Sequence, residues 1–323
     1  MSIFFSIITS THNRKYELGK LINSLKSQKY KNFEWIVGDD GSIDGTEDFI
    51  KSKIKNIDFK VSYIKSSHRI GLSKMINTLM KQVKGQTFFI CDSDDYLKPN
   101  SLEKIHDLFK RFSKNERKDL VGILSANVDE QNNNQLFYKD KIPKKDLFLQ
   151  WRNIHDIAYG DGTLFAYSHY FKKLKLLEVD FYIPMSILFK KFEKKKLYVT
   201  NQIFKVMKRD ASNSISFQKK MAYNRGNAYA ISICENGSFF RNRIFLKKIR
   251  ILLNYFRYCF HGDIKLSKAM VLWPYVKKNR FLIILYFFSL PLVMFDILFK
   301  KIEKTHLEFK KNSKITKISK FFF

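Results

Sequence analysis

Cysteine is scarce in this chain: three in 323 residues, Cys91, Cys234 and Cys259. No two lie close in sequence and no CxxC occurs. That excludes a disulfide framework and a paired-cysteine zinc site, and it fits a reducing compartment. Nor does the opening segment read as a signal peptide. The N-terminus enters a short apolar run at Ile3-Phe4-Phe5 with no basic segment before it, as expected of a first buried strand. Acidic residues are few as well, 30 Asp and Glu against 60 Lys and Arg, for a formal net charge of +30. The excess is uneven, since residues 241–323 hold 19 Lys and Arg but 4 Asp and Glu. A basic tail interleaved with Phe, Leu and Ile points to an anionic membrane surface. A nucleic-acid binder needs a basic groove with stacking aromatics, and the acidic clusters described next argue against nucleic acid as a partner.

The length suits one large α/β domain plus an appendage. Residues 3–9 form a continuous apolar and β-branched run, as a central parallel strand should. A polar break at 10–14 follows, then Leu18, Leu21, Ile22 and Leu25 at helical spacing. Residues 33–37 read as a second strand ending in the turn cluster Gly38-Asp39-Asp40-Gly41-Ser42. A helix carrying Phe49, Ile50 and Ile54, a strand over 61–64, a helix around Leu72, Ile76, Leu79 and Met80, and a strand over 87–91 complete the series. The last strand runs into Asp92-Ser93-Asp94-Asp95. This β-α-β-α-β-α-β alternation predicts a parallel, doubly wound sheet. Ligands of such sheets bind beyond the carboxyl ends of the strands, where the three polar clusters converge.

Those clusters carry a specific resemblance. Ser6-Ile7-Ile8-Thr9-Ser10-Thr11-His12-Asn13-Arg14 resembles the opening motif of the family 2 glycosyltransferases, and Val37-Gly38-Asp39-Asp40-Gly41-Ser42-Ile43-Asp44-Gly45-Thr46 resembles their second. Residues 71–77 are similar to the third, and residues 85–99 to the DXD segment. Order and spacing match over residues 3–110, with Ser10 where proline is common and His12 where tyrosine is common. The resemblance implies a GT-A fold: a Rossmann-like, mostly parallel central sheet flanked by helices. It implies inverting transfer of a sugar from a nucleotide diphosphate donor, with Mn2+ or Mg2+ as cofactor. Asp94 is then the metal ligand, with Asp92 near the ribose or assisting the metal beside Ser93. Hard divalent cations take carboxylate and phosphate oxygens, so this chemistry suits the site. Asp39 and Asp40 would read the base, one of them also capping the turn that follows. Thr9, Thr11 and Arg14 would contact base and phosphate, and Arg69 or Lys74 the diphosphate.

The acceptor side is less legible. Inverting transfer needs a general base at the acceptor hydroxyl. In Leu177-Glu178-Val179-Asp180-Phe181-Tyr182-Ile183-Pro184 the resemblance implies Asp180 for that role, with Glu178 and Asp161 as alternatives. Val179 stands where the family has Glu, which keeps an inactive scaffold as a rival reading. Residues 127–135 read as a loop, 185–194 as helical and 197–199 as strand-like. Arg209 lies in a segment resembling the family's closing loop, within reach of the diphosphate. The expected organisation is a catalytic domain over 1–237, divided near residue 112 into donor and acceptor halves, then a helical tail over 238–323. In the tail, Phe240, Ile244, Phe245, Ile249, Leu252, Leu253, Phe256 and Phe260 form a helical stripe with basic residues on the other faces, a pattern of membrane-surface helices. Residues 281–299 are apolar apart from Ser289, Pro291 and Asp296, with basic flanks on both sides. Those flanks disfavour placing either end outside, so the expectation is a re-entrant or in-plane hairpin bent at Pro291. A single span and a buried helix pair are the rivals. The acceptor would be lipid-linked or a surface glycan, at the cytoplasmic face of the inner membrane.

Overall fold

The computed structural model describes residues 2–131, 145–154, 162–179, 192, 194–208, 220–234, 245–279 and 282–307. The chain divides into two compact units, Met1–Lys219 and Lys220–Phe323.

In the first unit the parallel series predicted from sequence is present. Strands β1 (Phe5–Thr11), β2 (Phe33–Asp39), β3 (Lys60–Lys65) and β4 (Thr87–Ile90) alternate with helices α1 (Leu18–Lys26), α2 (Thr46–Lys53) and α3 (Leu72–Met80). β1 pairs in parallel with β2 and with β4, and β2 in parallel with β3. β1, β2 and β4 are buried on both faces, which is why they read as largely apolar runs, whereas β3, at the sheet edge, is half-buried with Lys60 and Lys65 exposed. Phe5, Ile7, Trp35, Val37 and Phe89 face the side covered by α1 and by α4 (Ser101–Arg111). Ile8, Ile36 and Phe88 face the other side, against Met75, Ile76 and Leu79 of α3. Gly38 lets α3 approach: a Cβ there would stand 2.4 Å from the Met75 sulfur and 2.8 Å from Leu79 Cδ2.

Beyond β4 the sheet continues through β8 (Gly162–Tyr167), β6 (Leu120–Asp129), β9 (Lys196–Met207) and β5 (Tyr96–Leu97), with β7 (Leu147–Gln150) also on β9. β8 runs antiparallel to both of its neighbours, while β6 and β9 are parallel. Two short helices, α5 (Lys114–Asp119) and α6 (Ser168–Phe171), flank this half. β6 corrects the loop expected from residue 127, because the strand runs on to Asp129 and is buried along its whole length. Ser125, Asn127 and Asp129 look like loop residues only until their partners are seen. Ser125 Oγ donates to the Gln202 carbonyl at 2.8 Å, and Asn127 Oδ1 accepts from Thr163 at 2.7 Å.

The second unit is helical: α7 (Lys220–Cys234), α8 (Phe245–His261), α9 (Leu266–Leu272), α10 (Pro274–Lys278) and α11 (Ile283–Leu307). α7 therefore belongs to this unit, although the sequence suggested a boundary at 237. Part of the α8 stripe turns inward, while Phe245 and Phe260 of the same stripe are exposed. Leu252 and Phe256, with Tyr255 and Cys259, are buried in the unit's own core beside Ala228, Trp273 and Val276. The Tyr255 hydroxyl donates to the Ala269 carbonyl at 2.6 Å. Phe240 and Ile244 lie outside the described residues. The hairpin expected at Pro291 is also corrected, since α11 is one helix passing through that proline. Proline there removes the amide that would bond the Phe287 carbonyl and crowds that carbonyl with its ring, and the burial of Ser289 and Val293 on either side offsets this cost. No helix among the described residues is long and apolar enough to cross a membrane.

Candidate donor-binding edge

The carboxyl ends of β1, β2 and β4 lie side by side because the three strands are parallel neighbours. The segments leaving them are laced together. Asp40 N donates to the Thr11 carbonyl at 2.8 Å, and His12 Nδ1 pairs with the Asp40 carbonyl at 2.7 Å. Asn13 N donates to Ser42 Oγ at 2.8 Å, and Ile43 N to Asn13 Oδ1 at 2.9 Å. Gly41, at φ +70°, lets the turn pass against the 68–69 backbone; a Cβ would stand 2.6 Å from the His68 carbonyl carbon.

Both aspartates of the β2 turn are committed to the frame. Asp39 is fully buried, accepting from Ser42 N at 2.8 Å and from the Tyr63 hydroxyl at 2.8 Å. Burial first, and then the Asp39 carboxylate, push the Tyr63 phenol far above its ordinary pKa, so it stays a donor. Asp40 accepts from Ile70 N at 2.6 Å and Gly71 N at 3.0 Å, fixing the entry to α3. The turn-capping role expected of one aspartate thus falls to Asp39. Each carboxylate still has acceptor capacity, since it offers about four lone-pair sites.

Thr9 is placed differently from a ligand contact. It is wholly buried, its hydroxyl donates to the Cys91 carbonyl at 2.8 Å, and it accepts from the Trp35 indole at 3.0 Å. A hydroxyl has one proton to give, so Thr9 has no donor left for a ligand and instead ties β1, β2 and β4 together. Thr11 is the opposite case. Its Oγ1 is buried at the end of β1 with no hydrogen-bond partner among the described residues, a costly state unless something completes it. Arg69 and Lys74 are exposed and form no ion pair among the described residues.

At the β4 end, residues 92–95 form a turn closed by Asp95 N donating to the Asp92 carbonyl at 3.1 Å. Asp92 is exposed and Ser93 buried. Asp94 makes an ion pair with Arg14 Nη1, joining the first and last predicted motifs. Asp95 turns inward to Lys205 of β9, at 2.5 Å, with side chains only 2% and 5% exposed. Burial alone would lower the Lys205 pKa, but Asp95 and Asp92 outweigh it and hold the ammonium protonated. Sequence reasoning missed Lys205, whose signal was a lone lysine inside the apolar strand Ile203-Phe204-Lys205-Val206-Met207.

Asn77 is the second missed residue. Its amide donates to the Leu176 carbonyl at 2.9 Å and to Glu178 Oε1 at 3.0 Å, while its oxygen accepts from Leu176 N at 2.8 Å. A Cβ on Gly71 would meet the Val179 carbonyl oxygen at 3.8 Å. The segment that leads to Asp180 is therefore clamped to α3, next to the loop that Asp40 holds. Asp180 itself, with Asp161 and Arg209, lies outside the described residues. Asn77→Ala should cost about 1–3 kcal/mol, the range for leaving buried peptide groups unpaired. Thermal unfolding checks this, and a change within error would mean that water replaces the amide.

Comparison with known proteins agrees with this geometry. Poly(ribitol-phosphate) β-N-acetylglucosaminyltransferase TarS of Staphylococcus aureus is 28% identical over 156 residues, 48% of this chain but 26% of TarS. The match thus spans about a quarter of that protein's length. An Escherichia coli protein, the UDP-Glc:α-D-GlcNAc-diphosphoundecaprenol β-1,3-glucosyltransferase WfaP, is 40% identical over 91 residues, 28% of this chain and 35% of WfaP. The Campylobacter jejuni GalNAc(5)-diNAcBac-PP-undecaprenol β-1,3-glucosyltransferase is 24% identical over 224 residues, 68% of this chain and 69% of its own. Among solved structures, TarS 1–349 in complex with UDP-GlcNAc superposes with a TM-score of 0.53 at 19% identity, covering 84% of this chain and 79% of that one. The mannosyltransferase PcManGT of Pyrobaculum calidifontis, in complex with GDP-Man and Mn2+, gives 0.52 at 13% identity, covering 90% and 87%. At such identities the likeness is one of fold, and that fold is GT-A. The model of the family described as glycosyl transferase family 2 matches residues 6–171, just over half of the sequence, and with all of its motif positions gathered on one sheet edge, the chain belongs to that family.

Proposed function

We propose that the chain transfers a sugar, with inversion, from a nucleotide diphosphate sugar, a UDP-sugar in the first instance, to a lipid-linked or surface-glycan acceptor. The observation that carries this reading is the convergence at one sheet edge of Asp39, Asp40, the orphan Thr11 hydroxyl, Arg14 and the 92–95 turn. A UDP-linked donor draws support from the similarity to WfaP, and a lipid-linked acceptor from the similarity to WfaP and to the Campylobacter jejuni enzyme.

In this reading Thr11 and the spare lone pairs of Asp39 meet the nucleoside, and Arg14 meets the diphosphate. Among the described residues no three His, Cys, Asp or Glu side chains gather as a metal cage. The residues present nonetheless fit Mg2+ or Mn2+, which is commonly held by one or two carboxylates with phosphate oxygens filling the remaining positions. Asp94 and Asp92 would be those carboxylates, and a cation held there would neutralise charge on the leaving diphosphate. Asp180 takes the proton of the acceptor hydroxyl as its oxygen bonds to the anomeric carbon and the bond from that carbon to the diphosphate breaks. The chain would act peripherally at the cytoplasmic face of the inner membrane.

Incubation with radiolabelled nucleotide sugars and Mn2+ tests the class of reaction. Turnover or slow donor hydrolysis with at least one UDP-sugar is expected, and silence across the panel sinks the proposal. Asp180→Asn should keep donor KM and lose about 10²–10⁴-fold in kcat, the usual worth of a general base. If Glu178→Gln shows that loss instead, the base is Glu178.

A further inference from the structure

Helix α11 presents two apolar faces. Leu282 just before it, and Ser289 and Val293 within it, are buried, and Leu285 and Tyr286 pack on the core of the helical unit. The opposite side carries Ile284, Phe287, Phe288, Pro291, Met294 and Phe295, all exposed, with Phe287 at 58% and Phe288 at 65%. Their spacing follows the helical period, so they form one stripe. A surface helix docked by one face ordinarily turns polar residues outward, and a contiguous exposed apolar patch marks an interaction site. Lys277 and Lys278, both exposed, end α10 immediately before this helix, and Lys300 and Lys301 continue it.

We propose that this stripe is the part of the chain that enters an anionic lipid surface, with α11 lying in the membrane plane and the exposed Lys277 and Lys278 on the headgroups. Charge decides between lipid and a second copy of this chain. Residues 220–323 hold 21 Lys and Arg against 5 Asp and Glu, so pairing this face with its own copy would bring two strongly cationic units together, whereas an anionic leaflet complements them. Apolar insertion flanked by basic side chains is how in-plane helices bind. The inference rests on the peripheral placement proposed above and centres its contact, within the basic tail, on α11.

Flotation of the full chain with vesicles of phosphatidylglycerol and phosphatidylcholine in equal parts tests it. The wild type should float, and high salt should release only part of it, because salt screens the lysines but not apolar insertion. The variant with Phe287→Ser, Phe288→Ser and Met294→Ser should bind at least about tenfold more weakly, with its melting temperature and its donor hydrolysis in solution unchanged. Donor hydrolysis reports the transferase reading separately, so the two can fail independently. Phe288→Trp, a single exposed replacement, should show quenching by brominated lipid. The proposal is overturned if the wild type stays at the bottom of the gradient, if the triple variant floats as the wild type does, if the introduced tryptophan is not quenched, or if the substitutions instead dissolve a homodimer that does not float.

Discussion

Replacing Asp94 by Asn should abolish most transfer while leaving the fold intact. An amide keeps the shape of the side chain but carries no charge to offset a divalent cation or to hold Arg14. The expected loss is on the order of 10²–10³-fold in kcat, typical of removing one preorganised electrostatic contact from an active site. The stability cost should be on the order of 1 kcal/mol or less, because the Arg14–Asp94 pair is partly open to solvent. A binding measurement separates the metal role from a loss of Arg14 positioning. In the wild type, UDP with Mn2+ should raise the melting temperature more than UDP alone, since a ligand bound by the native state alone stabilises it. In Asp94→Asn that increment should vanish while the effect of UDP alone persists. Undiminished turnover of the variant, or of the wild type in EDTA, removes Asp94 from the metal site.

Lys205→Met should be the most destabilising of the substitutions considered, by about 3–5 kcal/mol, because it strands the Asp95 carboxylate in a site that excludes water. For a unit of this size each kcal/mol lowers the melting temperature by about 2–4 °C. The double variant Lys205→Met with Asp95→Leu should recover much of the loss, since a buried pair replaced by apolar side chains is often neutral. The pH dependence has a definite sign. Burial pushes the Asp95 carboxyl above its ordinary value, with Lys205 pulling it back. Without Lys205 the folded-state pKa stays above the unfolded value of about 3.9. The folded variant then binds the proton more tightly than the unfolded chain does. Its deficit should shrink as pH falls from neutral toward 4 and return as pH rises through the folded-state pKa. A deficit independent of pH would mean that the lost contact is packing rather than charge. Because Asp95 belongs to the same turn as Asp92 and Asp94, the single variant should also weaken any response to Mn2+, even where it remains folded.

The sequence alone determined the donor half. Strand-like runs separated by helical periodicity specify a parallel sheet, and three of the four are largely apolar because a strand buried on both faces has to be. Polar residues at the carboxyl ends of such strands meet at one edge whatever the tertiary detail, which is why Thr11, Arg14, Asp39, Asp40 and the 92–95 turn were identifiable in advance. Tertiary structure decided how each is used. Thr9 and Thr11 are two residues apart and chemically identical, yet one hydroxyl faces the Cys91 carbonyl and the Trp35 indole and the other faces no partner. β6 stayed hidden because its polar residues find their partners on β8 and β9, strands distant in sequence. Lys205 and Asn77 were silent for the same reason, their partners lying 110 and about 100 residues away. In the helical unit the sequence showed an apolar stripe on a basic helix and an almost wholly apolar run over 281–299, with no way to tell which side chains protein would cover. Periodicity reports that a face is apolar, and only packing decides whether protein covers it. The fold buries Leu252 and Phe256 of the α8 stripe in its own core and leaves the stripe of α11 in the open.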